Sequence, residues 1–350
     1  MWGCKPASQQ TRYNIMNLRN SKEPSIHTKK LTRQQWLQAR QSGIGGSDIA
    51  ALMGESSYKT PYDVYQSKIR EISEAEAEEM SEAAEWGQIM EPVIAARFTT
   101  KKGIKVQNVN FIMRHPDYDW AIANIDRAVV NPEIMGNVRF KDGKLTTDGM
   151  LEVKTASSYV SDNWGTEGTD EVPDEYMCQG QWYLGVTGCQ YCWFAVLIGG
   201  NEFRVYYVER NQTLIDILFD VARDFWINNV LAGVEPDPSS LENAKHKYSK
   251  CNPDTTIEIT SIDQDKVAIL DRYIAAKAAV KAAEREAEDA QTAAICLIGD
   301  NETLKVDNQI VLTYKNSSTT RLDSKGIKKD YPELAEKYSK VSYGRTMRIK

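Results

Sequence analysis

Leu151-Glu152-Val153-Lys154 places a carboxylate and an amine two positions apart in a short apolar segment. Side chains alternate across a strand, so Glu152 and Lys154 project from one face while Leu151 and Val153 pack on the other. A carboxylate beside an ammonium on one strand face suits a divalent cation and a cation-activated water. The tetrad alone is a weak signal, because E-x-K recurs on many solvated strands. Its meaning comes from the acids that neighbouring segments bring to it.

Three acids are candidates. Asp126, within Ala123-Asn124-Ile125-Asp126-Arg127, reads as the end of a preceding strand, and Glu91 lies on a helix after Trp86-Gly87. Asp148 stands four residues before Glu152. Its Asp-Gly pair is more often a turn, and residues 131–149 read as a hairpin insertion rich in Asn, Pro, Gly and Asp, so Asp126 is preferred. A helix over 173–186 carries Tyr176, Gln179 and Gln181, with Tyr176 and Gln179 three residues apart on one face. An amide there can orient a phosphate or a water. Upstream, Gly43-Ile44-Gly45-Gly46-Ser47-Asp48 runs into an apolar segment over 49–53, with Ser47 as the expected N-cap. Free N–H groups at such a helix start attract anions, and glycines let a phosphate approach the backbone. Asp48 sets a negative charge beside that start.

The composition narrows the class. The chain has 350 residues, 41% hydrophobic and 26% charged, which is an ordinary globular balance with room for one large or two ordinary domains. No apolar run reaches the ~20 residues of a membrane span, and residues 1–20 lack the apolar core of a signal peptide. Six cysteines spread along the chain suit reduced thiols in a cytosolic protein. A net charge of −6 argues against a generally basic nucleic-acid coat, though it leaves room for a local positive channel. Cys189 and Cys192 spell C-x-x-C, but no second pair exists and the histidines are only His27, His115 and His246, so a four-ligand zinc site is hard to build. No Gly-Lys-Ser/Thr follows Gly45-Gly46-Ser47, which excludes a Walker loop. A Ser/His/Asp hydrolase lacks a placed histidine.

Along the chain, residues 1–30 read as a flexible polar arm and 31–234 as one catalytic-type domain. Helices are expected from Thr32 to about Ser42, from Thr60-Pro61 onward, and over about 81–100. Strands are expected over 104–113, 120–130, 150–155, 190–198 and 202–209, and a helix over 211–232 closes the unit. Residues 71–85 hold seven glutamates and no Lys or Arg, a pattern of a solvated face. Composition shifts at Gly233-Val234-Glu235-Pro236-Asp237-Pro238, so 235–350 is read as a C-terminal extension. There Ile269, Tyr273, Ala276, Val280, Ala283, Ala287, Ala290, Ala294 and Leu297 form a heptad seam ended by Gly299. The seam suits a neighbouring helix of the same chain or one of another subunit. A hairpin (303–306, 309–314) follows. The tail over 322–350 holds eight Lys or Arg against four Asp or Glu, and it is either simply solvated or able to meet phosphates.

In this order, Arg40, Gly43 to Asp48, Trp86-Gly87 with Glu91, Asp126, Glu152-Val153-Lys154 and Tyr176-x-x-Gln179-x-Gln181 resemble the lambda-exonuclease/YqaJ-type viral recombinase family. These are phage and mobile-element nucleases with a restriction-endonuclease-like PD-(D/E)XK core. The resemblance covers about residues 32–232. It implies an α/β fold, a mixed sheet flanked by helices, here followed by a helical and small β extension. It also implies an Mg²⁺-dependent 5′-to-3′ exonuclease on ends of double-stranded DNA, with Mn²⁺ as a substitute and two ions in the site. By that resemblance Asp126, Glu152 and the Val153 carbonyl hold metal, and Glu91 supports a second ion or its waters. Lys154 positions and polarises the attacking water, and Gln179 braces the site. Arg40 and Ser47, with Gly45 and Gly46 at the helix start, take the 5′-phosphate. Also implied are a homo-oligomer (a trimeric ring), a single-strand annealing partner, no membrane, and the cytoplasm of a bacterial or phage-infected cell. Two departures stand out: Asp48 beside the phosphate pocket, and Arg127 where the family has Gly. The competing readings are an endonuclease or structure-specific nuclease of the same fold, and a non-catalytic DNA-binding recombination subunit.

Overall fold

The computed structural model describes residues 25–73, 80–131, 137–141, 144–249, 255–318, 320, 322–339, 347 and 349. The first 24 residues of the expected arm, parts of the acidic run and of the 131–149 insertion, and most of the tail beyond 339 lie outside the described residues.

Ser25–His27 (β1) is a short strand rather than part of a loose arm. It pairs antiparallel with Phe111–Arg114 (β3), which pairs with Ile122–Ala123 (β4). Arg33–Gln41 (α1) starts in a capping box, Thr32 accepting from the Gln35 N–H and Gln35 reaching back to the Thr32 N–H. Gly46–Leu52 (α2) follows, then Pro61–Ile69 (α3), with proline in its first turn, and Glu82–Lys102 (α4), closed by Gly103 in the left-handed region.

The central sheet has five strands in the order β10-β9-β8-β5-β2: Glu202–Glu209 (β10), Tyr191–Ile198 (β9), Gly149–Ala156 (β8), Arg127–Val129 (β5) and Val106–Asn108 (β2). β8 and β9 run parallel and the other neighbours antiparallel. A parallel neighbour needs a crossover, supplied here by Asp174–Thr187 (α5). The result is the expected mixed sheet flanked by helices.

The insertion before β8 carries a two-residue-strand hairpin, Phe140–Lys141 (β6) with Lys144–Leu145 (β7). Gln212–Phe225 (α6) follows β10 and ends in a wide π-helical turn, Trp226–Leu231.

Two apolar layers sandwich the sheet. Met150 joins the larger one with Trp182, Phe194 and Ile49, while Leu151 and Val153 join Ile94 and Phe98 of α4 on the opposite face. This is the alternation expected of the Leu151–Lys154 stretch. Cys189 and Cys192 are buried free thiols, as their spacing without further ligands suggested.

The first compact unit extends to Lys247, past the compositional shift at 233–238, and the second runs from Tyr248 to Lys350. The reason is Leu241–Lys247 (α7). Asn243 is buried there and bonds the Thr60 hydroxyl at 2.6 Å and the Asp63 carboxylate at 2.9 Å.

In the second unit Gln264–Ile298 (α8) is followed by the hairpin Thr303–Val306 (β11) and Gln309–Thr313 (β12), then Ser324–Asp330 (α9) and Pro332–Lys337 (α10). The heptad seam is exposed: Ile269 is 69%, Val280 49% and Leu297 70% accessible. Among the described residues no helix is long and apolar enough to cross a membrane.

Candidate active site

β8 enters the core with Glu152 opposite Phe194 and Lys154 opposite Val196 of β9. Glu152 is only 1% exposed, and Lys154 Nζ lies 3.1 Å from Glu152 Oε2. Asp126 stands in the bend between β4 and β5, just before a strand rather than at the end of one. Two main-chain bonds lock it to β8. Asp126 Oδ2 accepts the Val153 N–H at 2.8 Å, and the Asp126 N–H donates to Glu152 Oε1 at 3.3 Å. An acid from the bend before β5 and one from β8 are thereby fixed side by side. Asp148 instead holds the turn before β9, its carbonyl accepting the Gln190 and Tyr191 N–H groups, and it does not line the site cavity.

From α5, Gln179 meets both members of the pair. Its Oε1 accepts from Lys154 Nζ at 3.1 Å, while its Nε2 donates to Glu152 Oε2 and the Tyr183 hydroxyl, each at 3.2 Å. The Tyr176 ring lies 5.1 Å from the Lys154 ammonium, a cation–π distance. Gln181 is not part of this group. Buried on another side of α5, it donates to the Glu209 carbonyl at 2.7 Å and accepts the Asn211 N–H at 2.8 Å, tying β10 to the start of α6. The cavity over these residues holds about 360 Å³ and is also walled by Trp36, Gly87, Gln88, Asn124, Thr155 and Tyr183. Of the residues missed in the sequence, Tyr183 was accessible to reasoning, standing one helical turn beyond Gln179. Trp36 and Asn124 carried no such signal.

Glu91 reaches the cavity from α4, but its carboxylate is ion-paired with the Arg127 guanidinium. The arginine directly after Asp126 thus engages the acid expected to support a second ion. Among the described residues no three His, Cys, Asp or Glu side chains converge as a metal-holding group.

Burial dominates the titration of the remaining pair. It pushes the Glu152 carboxyl up to about 8, with the Asp126 charge adding to the rise. Asp126 is raised as well, by burial and then by Glu91, against the pull of Lys154 and the Val153 N–H. Burial alone would lower Lys154, but Glu152 and Asp126 outweigh it and hold the ammonium above its ordinary range. Two buried carboxylates facing one ammonium form a hard-oxygen donor set short of positive charge. That suits a divalent cation, with further ligands from carbonyls and water.

A pH-dependent stability follows. Metal-free folded protein keeps a proton on Glu152 up to about pH 8, whereas the unfolded chain releases it near the ordinary value of 4.5. Folding therefore takes up a proton in that window, and metal-free stability falls as pH rises across it. A cation ligated by Glu152 would displace that proton. The thermal stabilisation by a fixed concentration of Mg²⁺ or Mn²⁺ is expected to grow from about pH 6 to about pH 8, reaching ~2.7 kcal/mol at a hundred times Kd. Melting curves check it; equal shifts at every pH would remove Glu152 from the ligand set.

Beside the cavity, Arg40 Nη2 donates to Ser47 Oγ at 2.9 Å. Ser47 is not the N-cap: the cap lies two residues earlier, at Gly45, α2 begins at Gly46, and Asp48 reaches back to accept the Gly45 N–H at 3.0 Å. Asp48 is buried, with Lys68 Nζ at 2.6 Å and Lys59 Nζ at 3.8 Å. Lys68 compensates the negative charge that Asp48 sets beside this helix start. Gly46 is required by packing, since a Cβ there would stand 2.7 Å from Gln179 Cγ and 2.8 Å from the Tyr183 ring. The glycine brings the Arg40–Ser47 corner against the Glu152–Lys154–Gln179 group.

A family model described as the YqaJ-like viral recombinase domain matches residues 35–190. The uncharacterized protein YqaJ of Bacillus subtilis (strain 168) is 32% identical over 327 residues, covering 92% of this chain and 95% of that one. Among solved structures, the alkaline exonuclease LHK-Exo of Laribacter hongkongensis is similar at 19% identity and a TM-score of 0.42, over 58% of this chain and 94% of that one. A phage-related exonuclease of Haemophilus somnus 129PT is similar at 11% identity and a TM-score of 0.35, over 55% of this chain and 96% of that one. Since its identity to YqaJ is sustained along nearly the whole of both chains, the protein belongs to the YqaJ-like viral recombinase family.

Proposed function

We propose that the chain is a divalent-metal-dependent exonuclease that degrades the 5′ strand at ends of linear double-stranded DNA and leaves 3′ single-stranded tails. Such tails are the substrate of a single-strand annealing partner in phage-type recombination. The observation that carries the reading is the interlocked group Asp126–Glu152–Lys154–Gln179, set beside Arg40 and Ser47. The names of the similar exonucleases agree with it.

In this reading Asp126, Glu152 and the Val153 carbonyl hold Mg²⁺, or Mn²⁺ in its place, and a second ion would draw on Glu91. When bound, the metal supplies charge neutralisation at the scissile phosphate and a lowered pKa for coordinated water. Lys154, kept as an ammonium, donates a hydrogen bond to the attacking water and is not its base. Gln179 accepts from Lys154 and so fixes where that ammonium points. Arg40 and Ser47 receive the terminal 5′-phosphate, which sets the distance from the strand end to the cleaved bond. A homo-oligomer closed around the duplex, a trimeric ring by family, would keep the enzyme on its track.

The test is linear duplex labelled on each strand end, carrying either a 5′-phosphate or a 5′-hydroxyl. Loss of the 5′-ending strand is expected, faster by ~10–100-fold with the phosphate, the worth of a charged hydrogen-bonded contact. Arg40→Gln should erase most of that difference. Digestion of closed circles would make it an endonuclease, and no digestion with either metal would leave a DNA-binding subunit.

A further inference from the structure

Arg33, Trp36 and Arg40 occupy one face of α1, by their spacing of three and four. The Arg33 guanidinium carbon is 4.7 Å from the Trp36 ring centroid and that of Arg40 is 4.9 Å from it. The two cations are therefore within about 10 Å of each other, no more than three nucleotides of rise at ~3.4 Å each along a DNA strand. Arg40 has Ser47 as an acceptor. Arg33 has nothing comparable: its buried Nε meets no acceptor among the described residues. Burial and the nearby Arg40 both push the Arg33 pKa down, and no carboxylate among the described residues offsets them. Two cations held this close repel each other, and an anion would relieve it.

The surroundings say where that anion lies. Trp36 walls the cavity of Asp126, Glu152 and Lys154. A second recess of about 290 Å³ continues from the same ring to Lys29, Asn108 and Asn110. Lys29, Asn108 and Asn110 offer an ammonium and two amides, with an indole face on which a sugar or base can rest, while Glu91 and Asp126, the acids of the active-site cavity, line the same recess together with Arg127.

We propose that Arg33, with Lys29 in the adjoining recess, binds a second, internal phosphate of the strand whose 5′ end Arg40 receives. The inference rests on the nuclease reading and extends its substrate site by a nucleotide or more. It makes the enzyme sensitive to the backbone behind the terminal nucleotide. A methylphosphonate at that one linkage would be felt.

Binding of linear duplex to the full chain in EDTA, across a salt series, tests this without cleavage. One lost phosphate contact lowers the slope of log K against log salt by about 0.9. R33Q is expected to show that decrease with roughly 10-fold weaker binding, as expected for a lost charged hydrogen bond. R33K should recover the slope. The R33Q effect should be equal on 5′-phosphate and 5′-hydroxyl ends. An arginine that merely stacks on Trp36 would leave the slope unchanged, and that result overturns the proposal. So does an effect that vanishes with the 5′-hydroxyl, since Arg33 would then share the terminal phosphate. K29Q, at an exposed position, repeats the test should R33Q fold poorly. Normal digestion with an unaltered R33Q slope strikes the Arg33 assignment alone. Arg33-dependent binding without digestion strikes the nuclease reading alone.

Discussion

Lys154→Ala is expected to slow digestion of linear duplex by ~10²–10⁴-fold, the usual worth of a positioned proton donor or acceptor, with binding of duplex ends nearly unchanged. The size follows from how fully the ammonium is fixed. It is held 3.1 Å from Glu152 Oε2 and 3.1 Å from Gln179 Oε1, over the Tyr176 ring. Little reorganisation is left for the moment of reaction, and a preorganised donor is worth far more than a mobile one. Because Glu152 and Asp126 hold Lys154 charged, its deprotonation should not shape the pH profile on the alkaline side. Removing it also strips the carboxylate pair of its cation, which alters the metal-free protein. Single-turnover rates at saturating metal separate that effect from the chemical one. If Lys154→Ala digests labelled duplex at the parent rate, the ammonium has no part in the reaction.

Gln179→Ala gives a graded companion. Its loss frees Lys154 on one side but leaves the contact with Glu152, so a rate between parent and Lys154→Ala is expected. The order of the two variants distinguishes a positioning amide from a direct contact with the reacting water.

How much of this was legible in the sequence differs by residue, and the reason is range. Glu152 and Lys154 were readable because strand alternation is local and sends i and i+2 to one face. Gln179 and Tyr176 were readable as one helix face. That Asp126 joins them depends on β5 pairing with β8, a contact across 26 positions that no periodicity encodes. The turn reading of Asp148-Gly149 favoured Asp126 over its rival, and the ordered motifs of the family pointed to it as well. The cap was misplaced by two positions, at Ser47 instead of Gly45, because glycine and serine are both acceptable caps, and the choice fell to Asp48, which reaches back to Gly45. The Glu91–Arg127 pair is a tertiary contact of the same hidden kind, although Arg127 stood in plain view as a departure. Asn243 escaped because the compositional change at 233–238 comes before α7, whose buried polar contacts with α3 keep it in the first unit.

The second large effect lies one layer behind the Arg40–Ser47 corner. Lys68→Met is expected to cost ~3–5 kcal/mol of stability, because breaking a buried ion pair strands its partner. Both side chains are 3% exposed at a 2.6 Å separation. Lys68, with Lys59 and Arg40, holds the Asp48 carboxyl well below its ordinary range against the burial that would raise it. A carboxyl depressed in the folded state contributes stability that is fully present above its unfolded value, near 3.8, and is lost as pH falls through the folded one. The parent's stability should therefore not change on Asp48's account between about pH 5 and 8, and Lys68→Met should lose most within that range. Protonating Asp48 relieves its stranded charge, so the difference between parent and variant should narrow in acid. Function should fall together with stability, since Lys68 Nζ also donates to the Arg40 carbonyl at 3.2 Å, and Asp48 fixes the Gly45 N–H. Variant that is still folded should then discriminate poorly between 5′-phosphate and 5′-hydroxyl ends. Denaturant melts at several pH values measure the first effect, and end-labelled digestion below the melting temperature measures the second. Equal melts for parent and Lys68→Met would mean that Lys59, 3.8 Å away, is counter-charge enough for Asp48.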